Sequence, residues 1–289
     1  MGRTHYAETP YPGSLLARLA ASRAGTGMLL YWLGQAGFLI KTGSCRLLVD
    51  PYLSDTLAAK YRGKAFSHER MMAAPITPGT LPAIDLVLCT HHHTDHMDGE
   101  TLSTIASRFA DTRFVIPAAT QALAQERIGV DRQRLISVDA GDRLELGRGV
   151  RLSVLRAAHE TLQCDEGGHH LFLGYGIEAA GVRVLHSGDT LPFKGQDAEI
   201  VNFAPDLALL PVNGRPEALQ SAGIAGNLTL DEAVDIAMKC NVPTVLAHHY
   251  GMFAFNTVAP DLIDARAKTA PRALLHRARI GIEYRLGAQ

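Results

Sequence analysis

Cysteine is sparse and badly spaced for a metal or disulfide role. Cys45, Cys89, Cys164 and Cys240 stand far apart with no C-x-x-C pair, so neither a thiolate zinc motif nor a disulfide framework is indicated, and the thiols are expected to be reduced and mostly buried. Long runs of one charge are missing too. The 28 basic and 29 acidic residues leave a net charge of −1, and no Lys/Arg track follows the pattern of a phosphate backbone, which sets nucleic acid aside. No segment reaches the apolar length of a membrane span, and 1–23 lacks the continuous apolar core of a secretory signal; a cytoplasmic protein with no membrane partner is expected. A G-x-G-x-x-G is absent as well, because the turn from Gly34 to Gly37 has different spacing, so dinucleotide binding is excluded. Internal repeats and low-complexity linkers are lacking.

What is present fits one large domain over 1–289 with an N-terminal extension of about 1–26, since 47% of the 289 residues are hydrophobic and 20% charged. Short aliphatic runs predict strands at 28–33, 37–41, 46–49, 84–89, 113–116, 150–157, 171–178, 182–186, 207–210 and 244–247. Helices are predicted at 98–109, with Asp98 as its cap, and at 118–127, 230–240 and 260–268. Gly-containing turns between the early strands predict antiparallel meanders, and the whole an α/β layered sandwich rather than a doubly wound sheet.

Histidine is unusually frequent, at 13. The strand at 84–89 runs into Thr90-His91-His92-His93-Thr94-Asp95-His96, an H-x-H-x-D-H. In an extended segment, residues two apart share a side, so His91 and His93 can address one metal while His92 points away; Asp95 and His96, where the chain turns, can address a second. Further candidates follow apolar runs: His159, Asp189 and His249. Loops at one end of neighbouring strands converge. Taken singly, His159 reads as a strand-end residue and Asp189 as a cap. Taken together, His91, His93 and His159 hold one ion, Asp95, His96 and His249 the other, and Asp189 bridges them, with room for a bridging water. His92 and His248 occupy alternate positions and are expected to be structural. His186 is expected to support Asp189, and His169 and His170 to lie in a solvated loop. His5, His68 and His276 show no partner pattern. Asp50 either orients a ligating histidine or makes an Asp-Pro turn. Asn213, Arg215 and Asn227 lie in glycine-punctuated loops after a strand, where a guanidinium could fork onto a phosphate or carboxylate.

H-x-H-x-D-H, a later His, an Asp in Gly-Asp-Thr and a final His, in that order, resemble the metallo-β-lactamase fold superfamily. Within it the chain is similar to the L-ascorbate-6-phosphate lactonase-like group through Trp32-Leu-Gly-Gln-Ala-Gly-Phe, Val49-Asp-Pro-Tyr-Leu-Ser, His186-Ser-Gly-Asp-Thr, Leu210-Pro-Val-Asn-Gly-Arg, Gly226-Asn-Leu-Thr and His249-Tyr-Gly-Met-Phe. The resemblance runs from about 28 to 260. It implies a four-layer αββα sandwich and a hydrolase that opens a small lactone, a phosphorylated one being favoured. Asp95 or Asp189 would orient the nucleophile and accept its proton. Two divalent ions are implied, Zn by the histidine count, Mn by the lactonase resemblance, with Fe also compatible. The partner expected is a small-molecule substrate, and a homo-oligomer stays open. The rival readings are a phosphodiesterase on the same metals, a di-iron oxidoreductase, against which His93 stands where those carry Glu, and a non-catalytic module, against which every ligand is retained.

Overall fold

The computed structural model describes residues 4–271 and 274–288. Its strands are β1 (Thr4–Pro10), β2 (Met28–Gly34), β3 (Gly37–Lys41), β4 (Arg46–Val49), β5 (Leu86–Leu88), β6 (Arg113–Pro117), β7 (Leu135–Val138), β8 (Arg143–Gly147), β9 (Val150–Arg156), β10 (Leu173–Ala179), β11 (Val182–His186), β12 (Leu207–Pro211), β13 (Val245–His248), β14 (Leu275–Arg277) and β15 (Ile282–Ala288). The helices are α1 (Leu15–Ala21), α2 (Thr56–Lys60), α3 (Gly99–Arg108), α4 (Gln121–Ile128), α5 (Gln196–Phe203), α6 (Glu217–Ser221), α7 (Leu230–Lys239) and α8 (Pro260–Thr269). One sheet has eight strands in the order β1-β15-β2-β3-β4-β5-β6-β7, the other seven in the order β14-β13-β12-β11-β10-β9-β8.

Strand β2 shows why the layers form. All of it is buried, and its alternate residues divide between two cores: Met28, Leu30 and Trp32 face the second sheet, while Leu29, Tyr31 and Leu33 face helices. A strand covered on both faces reads as a continuous apolar run instead of an alternation. The inter-sheet core joins Ile40 and Leu47 to Tyr175, Val184 and Leu246, and the outer face of the second sheet is closed by Ala233, Val234 and Ile236 of α7. Helix α3 closes the first sheet with Leu102, Ile105 and Ala106, and it starts where Asp98 accepts the Thr101 N–H, as expected for a cap. The result is the expected sandwich.

The expected meanders describe half of each sheet. β2, β3 and β4 pair antiparallel, and so do β8 to β11, but β4 to β7 and β11 to β14 run parallel. The segment expected as an N-terminal extension is instead part of the first sheet: β1 pairs with β15 over its whole length, and Leu15 and Leu19 of α1 are buried. Cys45, Cys89 and Cys240 are buried free thiols, and Cys164 is exposed.

The chain's two ends are tied by one carboxylate. Glu283 on β15, 1% exposed, accepts two 2.9 Å bonds from the Arg18 guanidinium and one of 2.5 Å from the Tyr31 hydroxyl. Burial alone would raise its pKa; the bonds from Arg18 and Tyr31 overcome that and hold it below the usual range. Because the folded value is depressed, this stabilisation is complete above the unfolded pKa and fades as the pH falls through and below it. Glu283→Gln is expected to cost about 2–3 kcal/mol at pH 7, discounted for the partial exposure of Arg18. In chemical denaturation, the gap between parent and variant should close as the pH drops below the usual carboxylate range; a constant gap would mean that lost packing, not charge, is responsible.

Candidate metal centre

Every sequence-predicted ligand stands just past the end of a strand. The segment 91–96 follows β5, His159 follows β9, Asp189 follows β11, and His249 follows β13. Asp50 follows β4, whose parallel pairing with β5 carries it to the same rim. The segment 91–96 is a turn, not an extension of the strand: the His93 carbonyl accepts the N–H groups of His96 at 3.0 Å and Met97 at 2.8 Å. That turn delivers His96 back beside His91, with ring centroids 4.0 Å apart.

The side chains form three overlapping sets, each with ligand atoms within 4.8 Å of one another: His91, His93 and His159; His91, His96 and Asp189; Asp95, His96 and His249. The first and third are the two triads expected from sequence. Asp189 Oδ2 lies 3.1 Å from His249 Nε2, 3.4 Å from His96 Nε2 and 3.8 Å from His159 Nε2, so one oxygen touches members of both triads. His248 is turned the other way, fully buried against Phe38 and His186. His92 joins none of the sets.

Hydrogen bonds fix which ring nitrogens face inward. Asp50 is fully buried and accepts the Thr90 N–H at 2.7 Å, the Thr90 hydroxyl at 2.6 Å and His96 Nδ1–H at 2.7 Å. With its proton given to Asp50, the Thr90 hydroxyl is left to accept from His91 Nδ1, 3.1 Å away. One carboxylate therefore leaves the Nε2 lone pairs of both His91 and His96 for the centre. Of the two readings of Asp50, orientation of a histidine is the one the geometry shows. His186 works similarly at β11: its Nε2–H donates to the Ala36 carbonyl at 2.8 Å and its Nδ1 accepts the Gly188 N–H at 3.1 Å, which seats the turn carrying Asp189. Gly188 has φ +64°, and a Cβ there would lie 2.4 Å from the Leu173 carbonyl oxygen, so the residue before Asp189 must be glycine.

Backbone strain gathers here. Gln35, Asp50 and His249 are non-glycine residues at φ of +50°, +44° and +61°, each costing of the order of 1 kcal/mol or more. Gln35 was not singled out as a site residue, although it lies in the turn between β2 and β3. Its side-chain amide donates to Asp95 Oδ2 at 2.9 Å, and its carbonyl accepts the His249 N–H at 3.0 Å.

Electrostatics asks for a cation. Burial pushes His159 down to about 4, His91 well below its ordinary value and His93 below it, so the rings of this triad offer neutral lone pairs at pH 7. Asp189 is buried, and although burial would raise it, His249 and His96 hold its carboxyl well below the usual range. Neither His96 Nε2 nor Asp189 Oδ1 makes a hydrogen bond. Burial would lower His96, but Asp189, Asp50 and Asp95 around it raise it well above its ordinary value, so positive charge is favoured at this point of the site. Imidazoles and carboxylates gathered in this way fit a divalent metal of borderline character, for which mixed sets of the two are suited.

His93, Asp95, His159, Asp189 and His249 form the floor of a cavity of about 600 Å³, which Asn227 and Asn256 also line. Asn213 sits behind them, donating to Asn256 Oδ1 at 2.8 Å and accepting from Asn227 Nδ2 at 3.0 Å. Arg215 departs from expectation. Its guanidinium forks onto Glu232 at the start of α7 and does not line the cavity, so the carboxylate of a capping box holds the cation expected to hold the substrate. The basic residues that do line the cavity are Lys60, Lys64 and Arg127. His169 and His170 pair with Asp165 and Asp139 outside it, as expected of a loop. His68, given no role from sequence, lines it.

Residues 45–250 match a family model described as a β-lactamase superfamily domain. A UPF0173 metal-dependent hydrolase of Myxococcus xanthus is 26% identical over 268 residues, 90% of this chain and 84% of the relative. Another, from Saccharolobus solfataricus, is 27% identical over 64% of this chain and 72% of its own. Among solved structures, the isothiocyanate hydrolase from Delia radicum gut bacteria superposes with a TM-score of 0.69 at 16% identity, over 86% of this chain and 95% of that one. Igni18, a metallo hydrolase from Ignicoccus hospitalis, gives 0.64 at 20%, over 91% and 99%. No described helix is long and apolar enough to cross a membrane. The family match takes in most of the chain and every candidate ligand from His91 to His249, and the chain belongs to the metallo-β-lactamase superfamily.

Proposed function

We propose that the protein is a metal-dependent hydrolase that opens a small lactone or ester. His91, His93 and His159 would hold one divalent ion, Asp95, His96 and His249 a second, and Asp189 both. The observation that carries this reading is the position of Asp189 Oδ2 between histidines of the two triads, on the floor of a cavity large enough for a small organic molecule. A divalent ion bound there supplies Lewis acidity, which brings the pKa of a water toward neutrality and polarises an acyl oxygen. The chain's own part is to place two carboxylates of different setting beside that water. Asp95, 18% exposed at its side chain, can take up a proton and pass it outward, while Asp189, at 6%, stays ionised and fixed. Gln35 holds Asp95 by its Oδ2, leaving Oδ1 as the oxygen for proton transfer. A phosphate on the substrate is not part of this proposal, because Arg215, the anchor expected for it, is occupied by Glu232.

The relatives named as metal-dependent hydrolases support the reaction class. The test is metal analysis coupled to a screen of lactones, esters and phosphodiesters. Purified protein is expected to bind about two equivalents of zinc or manganese, lose lactone hydrolysis on chelation and regain it on adding either metal. Full metal loading without hydrolysis of any lactone or ester would overturn the reading; hydrolysis of phosphodiesters alone would replace it.

A further inference from the structure

The cavity above the candidate metals is built asymmetrically. Tyr61 and His68 stack with centroids 4.0 Å apart, His68 packs on Phe255 at 4.8 Å, and Phe255 on Phe66 at 5.3 Å. All four line the same space as His93, His159 and Asp189. Aromatic residues are only 6% of this chain, so such a run of rings on one wall is a local enrichment, and it lies in loops outside the two main cores. His68 adds a flat face more than a charge. Burial lowers its pKa, and its Nδ1–H is committed to the Phe66 carbonyl at 2.9 Å.

Charge is arranged around those rings. The ammonium groups of Lys60 and Lys64 stand 5.4 and 5.1 Å from the centre of the Tyr61 ring, and both side chains line the cavity. Among the described lining residues the carboxylates are Asp95 and Asp189, both on the floor. The aromatic wall thus ends in two cations with no acidic partner among the residues that line the space. An apolar wall with a few charged groups at one end is how pockets orient an amphipathic ligand. A flat ring gains most from ring faces and edges, and an anion from ammonium groups held at the rim.

Resting on the hydrolase reading, we propose that the substrate is an aryl-bearing anion: its ring lies on the wall of Phe66, His68 and Phe255, its negative group meets Lys60 and Lys64, and its hydrolysable bond is presented to the floor. The negative group can be a carboxylate or a phosphate, since the lysines offer charge without a fork that selects between them.

The test has a kinetic arm and a binding arm. With zinc-loaded protein, esters that differ only in a phenyl or methyl group, each with and without a terminal carboxylate or phosphate, are compared by KM and kcat. Phe255→Ala and the volume-sparing Phe66→Leu are expected to raise KM for phenyl esters at least tenfold more than for methyl esters. The double variant Lys60→Met/Lys64→Met is expected to raise KM about tenfold for the charged esters only, and the parent's preference for them should weaken with salt. Calorimetry with 3-phenylpropionate, phenylethyl phosphate and propionate reads binding without turnover; the two aryl anions should bind the parent at least tenfold tighter than propionate. If no ester is cleaved, the hydrolase reading falls while calorimetry still decides this one. Equal binding of aryl and alkyl anions, or an unchanged phenyl-to-methyl KM ratio in both phenylalanine variants, overturns the proposal.

Discussion

Asp189→Ala is expected to lower kcat/KM for a lactone or ester by roughly a thousandfold or more and to leave a protein that no excess of metal restores. The reasoning is geometric. A single carboxylate oxygen reaches histidines from both triads, so its removal would take a ligand from each proposed ion at once. Removing one histidine from one triad is a smaller change, because two ligands and the shared carboxylate remain. The fold should survive, since Asp189 lies in a loop after β11 and its seat is made by Gly188 and His186 rather than by its own side chain. The check is metal content by mass spectrometry, beside thermal unfolding and turnover at rising zinc. Two bound equivalents with activity within tenfold of the parent would show that Asp189 bridges nothing.

The site was legible in the sequence to the degree that its chemistry demands fixed residue types at fixed offsets. H-x-H-x-D-H announces itself because ligand spacing is local, and His159, Asp189 and His249 could be joined to it because each follows an apolar run that ends at one rim. Pairing across the chain was not legible. β1 and β15 are each ordinary short segments, and only the register that sets Thr9 against Glu283 shows that the first residues close the first sheet. Strand direction was hidden for a similar reason: an apolar run looks alike in parallel and antiparallel settings when both faces are covered. The cavity wall failed to register because Tyr61, Phe66, His68 and Phe255 come from two loops far apart in sequence. Arg215 is the instructive miss. Thr229-x-x-Glu232 carries the visible pattern of a capping box, and Thr229 and Glu232 do form one, but that the same Glu232 would take the guanidinium depends on a loop geometry that spacing does not encode.

Asp50→Ala should separate the placing of ligands from ligation itself. Asp50 is too deep to reach the cavity, yet it accepts from His96 Nδ1 and, through the Thr90 hydroxyl, sets the proton on His91. Without it both imidazoles are free to rotate or to exchange tautomers, so the Nε2 lone pairs are no longer held toward the centre. Metal affinity is expected to fall about 10- to 100-fold, the range typical for the loss of such a supporting carboxylate. The buried Thr90 N–H also loses its acceptor, which costs roughly 1–3 kcal/mol of stability. Unlike Asp189→Ala, this variant keeps every ligand, so saturating zinc should bring kcat back to within a few-fold of the parent while the metal concentration at half-activity stays displaced. That split tells a positioning carboxylate from a merely structural one. A variant that unfolds more easily but binds zinc as the parent does would assign Asp50 to the fold alone, and one that stays inactive at full occupancy would give it a direct part in the chemistry.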